Sequence, residues 1–419
     1  LNTNNGIVLD SNGIKLSTQP YGQESPAITS DGTNYLAVWQ DWRSGNGQSD
    51  IFGSRITSQG TILDPSGIAI CILPSWQESP RVASDGTNFM AIWQDSRNGE
   101  FDIYGARISP NGTVLDPNGF PITRATSEQS SPSIIFNGVH YFVVWQDLRN
   151  GNYDIYGARV DRAGTLIDAN GIPISVTPFQ EMSPAVSFGE NNYLITWHRG
   201  RIPYLDIYGA RVSPSGTVID PDGISISTAI NEQFNPVIDF DGTNFLVAWE
   251  DLRYVYADIF CARVAQSGSL LDSAGIMVTH AIHHQVKPST VFDGINHIIV
   301  WQDKRGAFNT DIYGAKLTTA GEVVDSFAVS TQISNQYEPA VAYLSQNHSI
   351  LTIYTGWARS INNRPAHTFR IWGKFLPQVG IEEARSQLQE ARNGLEIIPN
   401  PFTGKTQIRC MVQDAGYMI

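Results

Sequence analysis

The sequence predicts an all-β fold, a seven-bladed β-propeller whose blades are four-stranded antiparallel sheets. First, a tryptophan recurs about every 52 residues, at Trp39, Trp93, Trp145, Trp197, Trp249 and Trp301, with Tyr354 as a seventh aromatic. Second, Asp-Gly turns separate short runs of β-branched and aromatic residues, which is the pattern of tight hairpins. Third, runs such as residues 35–39 are apolar on both faces. A sheet covered on both sides fits a ring in which each blade packs against two neighbours.

The second unit shows the order of elements within a blade. Residues 79–84 form its first strand, the Asp85-Gly86 turn follows, and residues 88–93 form the second strand. Residues 102–108 form the third strand, and a turn leads to a fourth strand that we expect at residues 113–116. None of these runs has the periodicity of a helix.

The two ends of the chain predict how the ring closes. Residues 6–14 match residues 112–120, which contain the fourth-strand segment of the second unit. The last unit has three strand-like runs, ending near Phe375, and no such segment after them. We therefore expect the N-terminal strand to complete the seventh blade and to remove an exposed sheet edge. The propeller domain is predicted to span residues 1–376.

The repeat pattern stops beyond the propeller. Residues 377–394 are predicted to be a linker with a short helix at 381–392, which has acids at its start and arginine at its end. Residues 395–419 are predicted to be a partial β segment. Its Pro399-Asn400-Pro401-Phe402 element, followed by a glycine and a strand, resembles the opening of the C-terminal sorting domain of bacterial type IX secretion. That resemblance implies export across the outer membrane and display or release outside the cell.

The strand at residues 406–411 cannot be stable alone, because its backbone groups would be unpaired. It must pair with the rest of its own domain, with the propeller or with a neighbouring molecule. The last option would allow self-association through the tail and build a filament.

The propeller units themselves carry two signatures, Asp-Gly-Thr-Asn-Tyr-Leu before the Trp-Gln-Asp motif and Asp-Ile-Tyr-Gly-Ala-Arg in the third strand. In these signatures residues 5–376 resemble repeats of large secreted bacterial proteins, most of them without an assigned function. The chain lacks the Ser-x-Asp-x-Gly-x-Thr-Trp boxes of sialidases, which lowers the expectation of a sialidase-like enzyme.

Composition excludes several classes of partner. A net charge of −13 argues against nucleic acid, whose binding needs clustered lysine and arginine. No run approaches the roughly 20 apolar residues of a membrane span. The chain starts at Leu1 rather than methionine, which suggests a removed export signal and an extracellular or cell-surface location. Cys71, Cys261 and Cys410 have no regular spacing and are expected to be isolated thiols.

The repeated tryptophans and the aspartates that open each third strand form a structural repeat. These aspartates are Asp50, Asp102, Asp154, Asp206, Asp258 and Asp311. In several units a second acid and an arginine precede them, as Asp41 and Arg43 precede Asp50. Paired carboxylates could bind calcium, but an arginine between them opposes a divalent cation and favours an arginine–carboxylate contact. We predict no cofactor, with calcium as the alternative.

One face of the ring is the candidate binding surface. It should collect the aromatics Tyr21, Trp76, Phe179, Phe234 and Tyr337 and the arginines Arg43, Arg97, Arg149 and Arg253. Exposed aromatic and arginine side chains are typical of interfaces. The alternative is that several of these rings pack under their own loops.

The fourth unit departs from the repeat on this same face. A glutamine stands three residues before the first-strand proline in the other units, as at Gln23, and the fourth has Glu181; its tryptophan is followed by His198 and Arg199. We expect the glutamine to bond the Trp-Gln-Asp loop and Glu181 to form a charged version of that contact. His280, His283 and His284 crowd another loop, without the further ligands that a metal site needs.

The near-identity of the blades favours a non-enzymatic scaffold for adhesion or extracellular self-assembly, with a cell-surface or glycan partner. The alternative is a glycan-binding or glycan-processing module, and a third is an enzyme with an unrecognised site. No catalytic motif or assignable acid pair is visible. An enzyme predicts acids or histidines that converge from different blades in one pocket, whereas glycan binding predicts solvent-facing aromatics around the channel mouth.

Overall fold

The computed structural model describes residues 13–201, 203–306, 309–361, 364–376, 395–399 and 406–410. In these ranges it contains seven four-stranded sheets and one two-stranded sheet, all antiparallel, which confirms the predicted seven-bladed propeller. No helix in this part of the chain has the length and apolarity needed to cross a membrane.

The first six blades each take four consecutive strands, and strand order in the sheet follows strand order in the chain. Blade 1 consists of β2 (Gln23–Ser30), β3 (Asn34–Asp41), β4 (Asp50–Thr57) and β5 (Ile68–Cys71), and blade 2 of β6 (Gln77–Ser84), β7 (Phe89–Asp95), β8 (Asp102–Ile108) and β9 (Phe120–Thr123). Blade 3 consists of β10 (Gln129–Phe136), β11 (Tyr141–Asp147), β12 (Asp154–Val160) and β13 (Ile172–Ser175), and blade 4 of β14 (Gln180–Phe188), β15 (Tyr193–Arg201), β16 (Tyr204–Val212) and β17 (Ile224–Ser227). Blade 5 consists of β18 (Gln233–Phe240), β19 (Asn244–Asp251), β20 (Asp258–Ala265) and β21 (Ile276–Met277), and blade 6 of β22 (Gln285–Phe292), β23 (Asn296–Asp303), β24 (Asp311–Thr318) and β25 (Val323–Ser330).

The seventh blade closes the ring with strands from both ends of the chain. It consists of β26 (Gln336–Leu344), β27 (Ser349–Ile361), β28 (Arg364–Phe375) and β1 (Ile14–Lys15). Ile14 and Lys15 pair with Gly373 and Trp372, and the Leu16 amide donates to the Ile371 carbonyl at 2.9 Å. The predicted closure by an N-terminal strand is confirmed, although residues 6–12 lie outside the described residues.

The position predicted for the fourth strand is wrong by several residues. In blade 2 that strand is β9, whereas Val114 in the preceding segment makes only a single bridge, to Ile108. The carboxylate of Asp116 accepts hydrogen bonds from the backbone amide and the guanidinium of Arg107, at 2.8–2.9 Å. The segment is therefore tied down as a loop, and the chain joins the sheet only after it.

Apolar side chains fill the space between each pair of neighbouring blades. Seven hydrophobic clusters each combine residues of two adjacent blades; the one between blades 1 and 2 joins Leu36 and Val38 to Phe89 and Trp93. The six repeated tryptophans are all completely buried. This burial explains why both faces of the strands are apolar, and truncation of such a ring to alanine would cost about 3–5 kcal/mol.

The Trp-Gln-Asp motif, which is Trp-Glu-Asp in blade 5, builds a buried clasp in five blades. In blade 1 the Trp39 Nε1 donates to Asp41 Oδ2 at 2.8 Å, and the amide and Nε of Arg43 donate to Asp41 Oδ1 at 2.9 Å. The same arrangement joins Trp93 with Asp95 and Arg97, Trp145 with Asp147 and Arg149, and Trp249 with Asp251 and Arg253. In blade 6 Trp301 donates to Asp303 in the same way, and Arg305 donates through its amide and Nη2. Because both oxygens of each carboxylate already accept hydrogen bonds, these acids act as anchors for the loop.

The aspartates that open the third strands are also held in place. Asp102 Oδ2 accepts from Asn98 Nδ2 at 2.8 Å, and Asp154 Oδ2 accepts from Asn150 Nδ2 at 2.7 Å. Ser44 donates to Asp50, and His280 lies against Asp258. Asp206 and Asp311 are half-buried.

The cysteines and the tail complete the fold. Cys71 and Cys261 are free and buried, as expected for isolated thiols. The tail contains a hairpin of β29 (Leu395–Pro399) and β30 (Thr406–Cys410), in a compact unit separate from the ring. The strand expected to seek a partner is therefore paired within the tail. The helix expected at 381–392 lies outside the described residues.

Candidate functional site

Seven inner strands surround the mouth of the central channel. Register places the start of each first strand beside the end of the second and the start of the third, as in Gln23 opposite Asp41 and Asp41 opposite Asp50. The interblade loops and the loops after the Trp-Gln-Asp motif therefore share one face, here called the upper face. The first strands of neighbouring blades pack against each other, so their upper ends ring the channel.

Each inner strand carries a β-bulge near its upper end. In blade 1 the pairing with the second strand shifts by one residue between Glu24 and Ala27, and an equivalent shift recurs in every blade. One bulge residue per blade has a left-handed backbone, with φ of 52–55°; these are Ser25, Ser79, Ser131, Ser183, Asn235, Lys287 and Glu338. None is glycine, so the surrounding structure must hold each in a strained conformation. We call these seven residues, together with the residue before each, the inner collar.

A side chain of the preceding blade bonds the backbone amide of most bulge residues. The acceptor is the middle residue of the Trp-Gln-Asp motif or its replacement. The pairs are Gln94 with Ser131, Gln146 with Ser183, His198 with Asn235, Glu250 with Lys287 and Gln302 with Glu338, at 3.0–3.4 Å. Blade 7 has Thr355 at this position, and Glu338 Oε2 itself accepts from the Ser25 amide at 3.0 Å. The motif thus fixes the collar backbone of the next blade.

The collar has a polar half and an apolar half. The residue before the bulge is Glu24, Glu78 and Ser130 in blades 1–3, and Met182, Phe234, Val286 and Tyr337 in blades 4–7. All but Ser130 are partly exposed. The ring is therefore regular in its backbone and asymmetric in its chemistry.

Three adjacent blades, 7, 1 and 2, each contribute a carboxyl group to the collar: Glu338, Glu24 and Glu78. Burial raises the pKa of Glu24, and the negative charge of Glu338 raises it further. Burial also raises the pKa of Glu78, against the effect of a hydrogen bond from Gln94 Nε2 at 3.3 Å. Arg81 lies close enough for its charge to interact with Glu338. A raised pKa favours the protonated form of a carboxyl group, which is the form that can donate a proton.

A second charged group lies across the mouth, in blades 4–6. Glu250 is buried and accepts hydrogen bonds from Asn235 Nδ2 at 2.8 Å and from the Lys287 amide at 3.0 Å, and burial raises its pKa. Burial and the nearby charge of Lys287 lower the pKa of His198 to about 4. His198 is therefore a neutral hydrogen-bond acceptor at physiological pH.

The aromatics predicted for the binding face separate into two groups. Phe234 and Tyr337 belong to the collar, where Tyr337 packs against the Phe369 ring with centroids 5.9 Å apart. Tyr21, Phe179 and Trp76 lie on the interblade loops and are 57%, 47% and 39% exposed. Their role in binding stays a prediction.

The predicted arginines are engaged by the fold. The side chains of Arg43, Arg97, Arg149 and Arg253 are only 16–19% exposed, and each is held by its aspartate. Each guanidinium also stacks on an aromatic ring of the third strand, as Arg97 does on Tyr104 at 3.9 Å. Little of these groups is free for a ligand, and their role in binding stays a prediction.

Blade 4 replaces the clasp with a different ion pair. Arg199 Nε contacts Glu181 Oε1 at 2.7 Å, which confirms the expected contact, and its guanidinium stacks on Tyr208 at 4.1 Å. The Trp197 Nε1 has no partner among the described residues. The expected role of the glutamine in the other blades is wrong, because Gln23 Nε2 donates to carbonyls of its own interblade loop at 3.1–3.2 Å.

The sequence analysis missed Glu24, Glu78 and Glu338. They lie inside the repeat, between its glutamine and its proline, at two positions that change from blade to blade. That variability within a fixed frame was the available signal. It could not be interpreted without the bulge, which places these positions at the upper ends of the inner strands.

Comparison with solved structures finds several that are similar to this chain in part or over most of its length. The phage phi92 endosialidase matches with a TM-score of 0.55 and 11% identity, over 98% of this chain and 76% of its own. The sialidase of Trypanosoma rangeli matches with a TM-score of 0.47 and 11% identity, over 92% of this chain and 60% of its own. An endo-arabinase of Bacteroides thetaiotaomicron matches with a TM-score of 0.38 and 15% identity, over 60% of this chain and 94% of its own. No family model and no curated protein sequence matches the chain. At these identities the likeness is one of fold alone.

These findings correct the functional prediction. The sequence favoured a non-enzymatic scaffold for adhesion or self-assembly because no odd catalytic cluster was visible, and that prediction is wrong. A solved structure that matches 98% of this chain is an enzyme, an endosialidase. The collar also contains acids from different blades, and self-association through the tail stays a prediction. The alternative of a glycan-binding or glycan-processing module is the better basis for a proposal.

Proposed function

We propose that this chain is a glycan-processing propeller, a glycosidase whose site is the inner collar. The observation that carries the proposal is the convergence of Glu24, Glu78 and Glu338 from three adjacent blades at the channel mouth. The fold likeness to an endosialidase supports the class of ligand by analogy only.

The acids are suited to the two roles that glycoside hydrolysis requires. One carboxyl group must be protonated and donate its proton to the leaving oxygen, and a second must be ionised, either to activate water or to stabilise the positive charge that develops on the sugar. Glu24 and Glu78, whose pKa values are raised by burial, suit the acid role. Glu338 accepts hydrogen bonds from the Ser25 amide and hydroxyl and suits the ionised role.

The apolar half of the collar suits the other side of a sugar ring. Pyranose rings have an apolar face of C–H groups, which packs well on aromatic side chains, and a polar rim of hydroxyl groups. Phe234 and Tyr337 supply rings from blades 5 and 7, while the acids supply hydrogen-bond acceptors from blades 7, 1 and 2.

The charge of the mouth favours an uncharged glycan. Recognition of a carboxylate sugar calls for free arginine, and the arginines of the upper face named above are held in clasps. Arg81 lies beside Glu338, and Lys287 lies near His198 and Glu250. The acids Glu24, Glu78, Glu338 and Glu250 outnumber these two basic residues around the mouth.

We further propose that the protein acts outside the cell or at its surface. The resemblance of the tail to a type IX sorting segment supports this location, and an extracellular polysaccharide is a substrate that would be met there. The location would be tested by cell fractionation and surface proteolysis of the producing bacterium.

Measurement of glycan cleavage tests the function. The purified protein would be incubated with a panel of neutral and acidic polysaccharides, and the release of reducing ends would be followed. We expect cleavage of a neutral glycan, reduced about 10²–10⁴-fold in Glu24→Gln or Glu78→Gln, which is the usual contribution of a general acid. Glu100→Gln removes an exposed acid from a loop of the same face and is the matched control.

The outcomes separate the alternatives. Binding of a glycan without cleavage would reduce the function to glycan recognition at the collar. Cleavage that survives both collar substitutions would place the chemistry elsewhere. Neither binding nor cleavage with any glycan of the panel would refute the proposal.

A further inference from the structure

Blade 5 departs from the repeat in the loop that follows its Trp-Glu-Asp motif. In blades 2 and 3 the residue after the clasp arginine is Asn98 or Asn150, which caps the aspartate of the third strand at 2.7–2.8 Å. Blade 5 has Tyr254 in this position. Blade 1 has Ser44 at this position, and its hydroxyl also donates to the aspartate of the third strand, whereas blade 5 places a large aromatic side chain there.

A histidine from the neighbouring loop takes over the capping role. His280 Nδ1 lies 3.0 Å from Asp258 Oδ2, and the other blades have no histidine at the equivalent position. Asp258 is almost completely buried, and its Oδ1 has no hydrogen-bond partner among the described residues. The nearby Ala281 amide donates to Gln285 Oε1 at 3.3 Å, and it also lies close enough to Asp258 to counteract part of the rise that burial causes in the pKa of that carboxyl group. An unpartnered carboxylate oxygen in such a position needs a donor.

The exchange leaves aromatic side chains exposed around this carboxylate. Tyr254, Val255 and Tyr256 are 48%, 85% and 38% exposed, and the Tyr254 ring lies 5.0 Å from that of His280. They border a pocket of about 570 Å³ whose lining includes Asn231, Arg253 and Asp258. That volume lies in the range of small-ligand sites.

We propose that this pocket is a second carbohydrate-binding site, for one or two residues of an uncharged glycan. The C–H face of a sugar ring would pack on Tyr254, and its hydroxyl groups would donate to Asp258. His280, whose Nδ1–H is directed at Asp258, would offer Nε2 as a further acceptor. The site takes the same class of ligand as the proposed function, but it stands on its own residues.

Other classes of ligand fit the pocket less well. An anionic group would meet the carboxylate of Asp258, and a purely apolar segment would leave its Oδ1 without a donor. The described residues contain no group of three side chains able to hold a metal ion. A polyhydroxylated ring satisfies the aromatic wall and the carboxylate at once.

The test uses a substitution that the repeat already contains. Tyr254→Asn introduces the residue of blades 2 and 3, so the variant should fold, as a thermal melt would verify. Affinity electrophoresis in gels that contain neutral polysaccharides, such as β-glucan, mannan or galactan, would measure binding. We expect retardation by at least one of them, at least tenfold weaker in Tyr254→Asn and kept within about threefold in Tyr254→Phe, which preserves the ring.

Two controls make the result specific. Tyr204→Asn changes another exposed tyrosine, 74% exposed on blade 4, and should bind like the native protein. Glu24→Gln should keep its retardation whatever it does to cleavage, which distinguishes failure of this site from failure of the collar. Equal retardation of Tyr254→Asn and the native protein, or no retardation in any gel, would overturn the proposal.

Discussion

Replacement of His198 by glutamine should change how the stability of the ring depends on pH. His198 occupies the position at which Gln94, Gln146 and Gln302 accept the bulge amide of the next blade. Glutamine can make the same contact with Asn235, so the variant should fold and keep its collar. The difference is that glutamine does not titrate.

The size of the effect follows from the buried imidazole. Burial lowers the pKa of His198 from 6.5 to about 4. Between these values the unfolded chain binds a proton that the folded chain does not, so the stability supplied by the neutral imidazole is present above pH 6.5 and is lost as the pH falls toward 4. At about 1.36 kcal/mol per pH unit, the loss amounts to about 3 kcal/mol.

Urea unfolding at pH 4, 5, 6 and 7 would measure this difference. We expect native protein and His198→Gln to differ by less than about 1 kcal/mol at pH 7, and the variant to be more stable by about 3 kcal/mol at pH 4. Every other titrating group is common to both proteins and cancels in the difference. His140→Gln, in a turn on the opposite face, is the control. If the stability difference between native protein and His198→Gln is independent of pH, the imidazole is not buried as a neutral acceptor and the reasoning fails.

Three further predictions concern the contacts between and within blades. His297 is buried, and hydrogen bonds from its ring to Asp239 and the charges of Asp239 and Asp241 outweigh burial and raise its pKa. The stability that protonated His297 supplies should therefore be fully present below about pH 6.5 and should decline as the pH rises through the pKa of the folded state. Thermal melts should show that the native protein loses stability relative to His297→Gln between about pH 6 and 8. Glu181→Gln should destabilise the ring by about 3–5 kcal/mol because it leaves the charge of Arg199 without a partner. The double variant Glu181→Gln, Arg199→Asp should recover part of that loss, because it restores the aspartate that other blades have at this position. Equal unfolding midpoints of the single and double variants would contradict this expectation. Glu338→Ala leaves the Ser25 amide without its acceptor and should cost about 1–3 kcal/mol in urea unfolding, whereas no measurable cost would mean that water replaces the carboxylate.

Periodicity alone was sufficient to predict the ring, because every blade must solve the same burial problem with the same residues. The tryptophan spacing, the Asp-Gly turns and the two-sided apolar strands all follow from packing between blades. The fourth strand was misplaced because a run such as residues 113–116 has strand-like composition, and only the structure shows Asp116 bound to Arg107. Asp116 accepts a hydrogen bond from the Arg107 backbone amide, which a neighbouring strand would otherwise bind, and the hydrophobic periodicity of the sequence does not show this contact.

The candidate site was less accessible from the sequence than the fold. Whether Glu24 and Glu78 point into a channel depends on a bulge created by pairing between strands, which residue order does not encode locally. The aromatics and arginines stood out because they are chemically conspicuous, yet the arginines proved to be bound by their own loops. The exception in blade 4 was predictable, because Glu181 and Arg199 are complementary departures from an otherwise constant pattern.

In five blades a side chain at the middle position of the Trp-Gln-Asp motif accepts a hydrogen bond from the bulge of the next blade. The backbone conformation at the channel mouth is therefore largely independent of which side chains the bulge carries. Five bulge amides are held by a side chain of the preceding blade that lies outside the collar, and the Ser25 amide is held by Glu338, which belongs to the collar. Serine, asparagine, lysine and glutamate all occur in the same left-handed position. Most side chains of the inner collar can therefore be exchanged without a change in its backbone. A new ligand could be accommodated by substitution of collar residues other than Glu338.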